Sequence, residues 1–226
     1  MKIFKKIWWR LLFASYALVY LPWFFFLESK ITMDYPNLHI INGPLDDMIP
    51  FCEVFIIPYF LWFAYIVASC VIMVLKADNQ EFIRFALSLI IGMSLCMVIC
   101  MVYPNGLTLR PDTLPDNAFG RLVAGLYATD TPTNVFPSIH VYNSIAVHTA
   151  LSKCKALKNH KGLLTGSLLL CILICMSTVF LKQHSLYDVG GAFVLMGVMY
   201  YVLYILPERR AQRQAENEKH YASADE

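Results

Sequence analysis

Long apolar runs constrain this chain more than any other feature. Six segments approach or reach the roughly 20 apolar residues a helix needs to cross a bilayer core. They run approximately Trp8–Leu27, Val54–Leu75, Phe85–Val102, Ser138–Leu151, Leu163–Leu181 and Leu186–Leu206. The fourth is the shortest, and Ser144, His148 and Thr149 make it the most polar. A short polar span is tolerated where it faces the bundle interior rather than lipid. The expected fold class is therefore all-α, a polytopic membrane protein of six transmembrane helices around a helical-bundle catalytic core. Residues 1–206 form the membrane domain, and residues 207–226 form a polar cytoplasmic tail, read as a frayed helix end or a disordered segment.

Composition excludes the alternatives. Hydrophobic residues make up 58% of the chain and charged residues 15%, against about 45–50% and about 25% in soluble domains. A net charge of +2 gives no argument for a nucleic-acid partner. The basic start Met1–Arg10 is like that of a signal peptide, but the apolar run after it is long and aromatic and no small-residue cleavage site follows, so a retained first span is expected. The seven cysteines form no CxxC pair and no His/Cys cluster of zinc spacing, and read as small packing residues.

The basic residues orient the spans. Lys2, Lys5, Lys6 and Arg10 precede the first. Lys76 and Arg84 follow the second, Lys153, Lys155, Lys158 and Lys161 follow the fourth, and Arg209, Arg210, Arg213 and Lys219 follow the sixth. Only Lys30, Arg110, Arg121 and Lys182 fall on the other side, so 14 of 18 basic residues share one face. That face is expected to be the cytoplasm, with both termini on it and the protein in the cell membrane.

The opposite, outer face holds three polar groups: Tyr103 to Pro111, Pro137-Ser138-Ile139-His140, and Lys182 to Asp188. Their convergence at one depth points to a site. Pro137-Ser138 is a helix-start signal, and the N–H groups of a helix N-terminus favour an anion. Ser138 offers a hydroxyl to a phosphate oxygen, and His140, in the first turn, offers a proton to a leaving oxygen. His184 and Asp188, four apart, share a face if the last helix begins near His184, so the carboxylate fixes the imidazole tautomer and leaves its other nitrogen nucleophilic. Arg110 supplies a planar fork for phosphate oxygens, and Lys182 adds charge. Singly, each has an ordinary explanation: Asp188 as a partner of Lys182, Arg110 as an interfacial anchor, His148 as a bond to a neighbouring helix. Together, at one membrane face, these groups are costly to bury unless used. The loop Asn105–Phe136 is long, and Asp116–Tyr127 is expected to form a short helix, over the site or on the surface. Gly190-Gly191-Ala192 is expected to admit a neighbouring helix behind Asp188.

These residues resemble the type 2 phosphatidic acid phosphatase superfamily, whose signatures run Lys-x6-Arg-Pro, Pro-Ser-Gly-His and Ser-Arg-x5-His-x3-Asp. Arg110-Pro111 matches the end of the first. Pro137-Ser138-Ile139-His140 matches the second, with Ile139 in place of Gly, and Ser177, His184 and Asp188 match the third. The resemblance implies His184 as nucleophile forming a phosphohistidine, Asp188 as its orienting carboxylate and His140 as the acid. It implies Arg110 and Ser138 as phosphate contacts, a membrane-lipid substrate, and no metal or other cofactor. Tyr103 stands at the first signature's Lys and Thr178 at the third signature's Arg, and Lys182 is the candidate to restore one charge. With these bases absent the chain is also similar to the inositol-phosphorylceramide and sphingomyelin synthase branch, which transfers a phospho-headgroup. The expected activity is a lipid phosphatase, the alternatives a headgroup transferase or a non-enzymatic membrane protein.

Overall fold

A computed structural model describes the backbone of residues 2–224 and the side chains of 7–217. The side chains of Lys2, Lys5, Lys6 and Lys219 lie outside the described residues. Among the described residues ten α-helices follow one another: α1 (Lys2–Leu11), α2 (Ala17–Lys30), α3 (Pro44–Asp47), α4 (Ile56–Lys76), α5 (Asn79–Val102), α6 (Ala118–Thr129), α7 (Ile139–Lys153), α8 (Lys161–Phe180), α9 (Leu186–Tyr200) and α10 (Leu206–Ala224). A 3-10 stretch, Leu12–Tyr16, joins α1 to α2, and a π-helical stretch, Tyr201–Ile205, joins α9 to α10.

Among the described residues five helical rods are long and apolar enough to cross a membrane: Ile7–Lys30, Glu53–Lys76, Asn79–Val102, Lys161–Phe180 and Leu186–Asn217. The fourth expected segment forms α7, which has 15 residues and at 1.5 Å per residue falls short of the roughly 30 Å hydrocarbon core. Its polarity follows from its place. α7 packs against α4, α5, α8 and α9 at the centre of the bundle. Val141, Tyr142, Asn143, Ser144, Ala146, Val147, Ala150 and Leu151 are all buried. His148 does bond a neighbouring helix, with Nδ1 3.0 Å from Ser167 Oγ on α8. Gly92 of α5 makes room for Tyr142, whose ring lies 2.1 Å from where a Cβ would stand and whose hydroxyl donates to Ser88 O at 2.8 Å.

The tail takes the helical of its two expected forms. Residues 206–224 continue as α10, because Ala, Glu, Gln and Arg are strong helix formers, and Glu208 pairs with Arg84 at 3.5 Å.

The basic segments meet at one end of the bundle. Arg10, buried, donates to the carbonyls of Met73, Val74 and Ala77 and to Asn79 Oδ1, so a cation caps the negative C-terminus of α4. Asp78 opens α5 with a reciprocal capping box to Glu81, and Lys155 Nζ reaches Asp78 at 3.0 Å.

At the other end the loops are stitched together. β1 (His39–Ile40) pairs in parallel with β2 (Asn105–Gly106), and Gly106 bridges Thr133. Asn105 is fully buried. Its Oδ1 accepts from the N–H groups of Val135 and Phe136, both at 2.9 Å, which fixes the approach to Ser138. Glu28, closing α2, accepts from Asn134 Nδ2 at 2.9 Å and from the Thr131 hydroxyl. Gly191 lies 2.5 Å, measured from an added Cβ, from the Phe136 ring, while Gly190 meets nothing within 4 Å. Gly191 thus admits a side chain of this loop, while the neighbouring helix expected there meets the third residue of the group. Ala192 packs on Val141 and Tyr142 of α7.

Candidate active site

Ser138 caps α7, its Oγ accepting from Val141 N at 3.3 Å, and places His140 in the first turn. The same residue binds the second motif to the third: Ser138 N–H donates to the Asp188 carbonyl at 3.1 Å. α8 ends at Phe180, where the Thr178 carbonyl accepts from both Gln183 N and His184 N. Lys182 takes up a left-handed φ of 51° and turns the chain. α9 then begins at Leu186, with Ser185 and Asp188 forming a capping box.

His184 therefore precedes α9 instead of standing on its face. Asp188, third residue of the helix, folds its carboxylate back. Oδ2 accepts from Ser185 N at 2.8 Å and lies 3.4 Å from His184 Nδ1, a long contact of the kind that tightens once substrate is bound. Ser-x-x-Asp before an apolar run is a capping signature, and it encodes this pairing more directly than the four-residue spacing.

His140 and His184 come together with ring centroids 5.7 Å apart. Two aromatic residues of α4 hold His140 in place: Tyr59 at 4.7 Å and Trp62 at 4.5 Å between ring centroids. The Tyr59 hydroxyl donates to Asp130 Oδ2 at 2.9 Å.

Arg110 reaches the same region. Its Nη1 donates to Tyr127 O at 3.2 Å, and its Nη2 to Asp130 O and Gln183 Oε1, both at 2.6 Å. Its guanidinium stacks 4.2 Å over Tyr127. Burial pushes the Arg110 guanidinium down from its ordinary value, and the Asp130 carboxylate opposes the shift. Burial likewise pushes the Tyr127 hydroxyl up to about 12, with Arg110 pulling the other way, so it stays protonated and donates to Leu181 O at 2.8 Å. α6 thus lies against the α8–α9 turn, held by Tyr127 and Arg110.

Two expected substrate contacts are not brought to the histidines. Lys182 Nζ donates at 2.6 Å to the carbonyls of both Asp46 and Ile49, because the left-handed backbone turns its side chain toward the end of α3. Tyr103 is exposed and stacks on His39 at 4.1 Å. Thr178, at the third signature's cation position, is fully buried and bonds Cys175 O. Arg110 is linked to the histidines through Gln183, the residue before His184, whose Oε1 accepts from its Nη2.

Several residues here carry no sequence signal. Asp46, buried, accepts from Leu186 N at 2.7 Å and Gly43 N at 2.9 Å. It joins the outer loop to the first turn of α9. Among the described residues nine buried side-chain polar atoms lack a hydrogen-bond partner, and six belong to this region: Trp62 Nε1, Arg110 Nε, His140 Nδ1, Gln183 Nε2, His184 Nδ1 and Asp188 Oδ1. Leaving such an atom unpaired costs about 1–3 kcal/mol, and of these six His184 Nδ1 has the long Asp188 contact already described. No group of three or more His, Cys, Asp or Glu among the described residues is arranged to hold a metal ion.

The family model for the PAP2 superfamily matches residues 81–212, more than half of the chain. The chain belongs to the PAP2 superfamily. Neither the curated proteins nor the solved structures compared with it gave a match. The matched stretch carries His140, Ser138, Arg110, His184 and Asp188. Superfamily membership and the apolar helices together describe a membrane protein acting on phosphate esters, as a phosphatase or a phosphotransferase.

Proposed function

We propose that the chain is a lipid phosphatase that hydrolyses a lipid phosphate or diphosphate at the outer membrane face through a phosphohistidine on His184. The observation that carries this reading is the meeting of His184, Asp188 and His140 beside Arg110 in a region of buried polar atoms without partners. In the proposed topology α7 is a sixth, enclosed crossing, and both termini are cytoplasmic. The gathering of Arg10, Lys155 and Arg84 at the end of the bundle opposite the histidines supports it.

Asp188 keeps the His184 proton on Nδ1, so Nε2 attacks phosphorus in line. The bond from phosphorus to the lipid oxygen breaks as His140 gives that oxygen a proton. Arg110, Ser138 and the N-terminus of α7 stabilise the equatorial oxygens. Water then attacks the phosphohistidine, His140 takes the water's proton, and inorganic phosphate leaves. Screening purified protein against a panel of lipid phosphates, following phosphate release and lipid products together, tests the reading. The wild type should release phosphate and His184→Ala should not, whereas a near-normal rate in His184→Ala removes it as nucleophile. Millimolar vanadate should inhibit.

A second reading, headgroup transfer from a phosphodiester lipid, is favoured by the scarcity of cations around the histidines. Tyr103, Thr178 and Lys182 supply none there, and a diester carries less charge than a monoester. Phosphorus found only in a new lipid product, and only when an alcohol acceptor is present, selects it.

A further inference from the structure

Two of the unpartnered atoms belong to residues that no signature position names: Gln183, just before His184, and Trp62 on α4. Gln183 is 97% buried, with a relative exposure of 3%. An arginine has only donors, so the amide atom that meets Arg110 Nη2 at 2.6 Å must be Oε1. The assignment of the amide is thereby settled, and Nε2 is left with two N–H groups and no partner. Trp62 carries only a donor on its indole. That atom is buried and unpaired, and the ring sits 4.5 Å from His140. With Arg110 Nε, three donor nitrogens are buried without a partner on residues that contact His140 (Trp62), adjoin His184 (Gln183) or bond that glutamine (Arg110), a set suited to an anion and unsuited to a cation.

We propose that Gln183 Nε2 and Trp62 Nε1 donate hydrogen bonds to non-bridging oxygens of the substrate's phosphoryl group, standing in as neutral donors where the superfamily signatures place two cations. This rests on the phosphoryl-transfer reading above. The chain dispenses with a base at Tyr103 and Thr178 because the oxygens are met from α4 and from the residue before His184. Neutral donors hold a phosphoryl group by direction more than by charge, so the contact depends weakly on salt.

Gln183→Glu separates the proposal from a purely structural role. The variant keeps, and strengthens, the acceptor facing Arg110, but replaces the free amide by an anionic oxygen. Trp62→Phe keeps a ring against His140 and removes only the N–H. Orthovanadate binding to the purified protein, measured by titration calorimetry, and kcat/KM on the best lipid phosphate are the two readouts, with folding checked by thermal melting. Gln183→Glu should weaken vanadate binding and kcat/KM by about 10- to 100-fold, and Trp62→Phe by about 10-fold. An active, vanadate-binding wild type whose two variants stay within twofold of it overturns the proposal and leaves the phosphatase reading standing. A wild type that neither binds vanadate nor turns over any lipid phosphate overturns both. Should Gln183→Glu fail to fold, Trp62→Phe decides by the same criterion.

Discussion

Asp46→Ala probes how the outer loop holds the site. Asp46 Oδ1 accepts from the first N–H of α9, at Leu186, and Oδ2 from Gly43. Hydrogen bonds to a charged acceptor contribute about 1.5–3 kcal/mol each, and Gly43, half-buried, regains water when its partner goes. The expected loss is about 3 kcal/mol, the low end of the pair's sum. At about 2–4 °C per kcal/mol for a chain of this size, Tm falls by about 6–12 °C. The catalytic effect is larger in proportion. The carbonyls of Asp46 and Ile49 clamp Lys182 Nζ, and Lys182 holds a left-handed φ that costs a non-glycine residue about 1–2 kcal/mol. Once the loop moves, that turn relaxes and carries Gln183 and His184 with it. A displacement of about 1 Å costs on the order of 100-fold in rate, so kcat should fall by about that factor. Differential scanning fluorimetry in detergent and steady-state turnover measure the two. The exposed neighbour Asp47 gives the control, Asp47→Ala, which should match wild type. An Asp46→Ala protein with wild-type Tm and kcat would refute the clamp.

Asp188→Asn keeps the capping oxygen for Ser185 but removes the charge beside His184 Nδ1. Its kcat should drop by about 10- to 100-fold with KM little changed, read by steady-state kinetics. Arg110→Lys cannot serve Tyr127 O, Asp130 O and Gln183 Oε1 together. It should lose about 100-fold in kcat/KM, and a loss under threefold would contradict the fork's role. Asp78 is held below the usual carboxylate range, first by the Glu81 N–H and then by Lys155. Its folded value is depressed, so its contribution is present above the unfolded carboxylate value and is lost as pH falls through the folded one. Melting curves between neutral and acid pH should show this loss in wild type and its absence in Asp78→Asn. Asp78→Ala should cost about 1 kcal/mol at neutral pH, the usual worth of an N-cap.

The span-length apolar runs were readable because lipid-facing helices need uninterrupted apolar length, and five of the six segments form rods that meet that need. The sixth, α7, was readable as a helix from Pro137-Ser138. Its short length makes sense only from its neighbours, since a helix enclosed by α4, α5, α8 and α9 need not match the bilayer. The tail takes the helical of its two expected forms, in keeping with its helix-forming Ala, Glu, Gln and Arg residues. Within the site, His140, His184, Asp188 and Arg110 were legible as local motifs, and the fold brings them together. Lys182 shows where locality fails. Two residues from His184 in sequence, it is buried in a left-handed turn and bonded to the carbonyls of Asp46 in α3 and Ile49 just after it. Asp46, Trp62 and Gln183 make their contacts with distant segments, which no spacing or composition announces.

The central claim is that phosphorus passes through His184. Rapid quenching of purified protein after mixing with a lipid carrying radiolabelled phosphate should trap acid-labile, base-stable label on the polypeptide, mapped to His184 and absent from His184→Ala. Turnover of the same lipid with no label on the chain, or with label on another residue, would contradict the account.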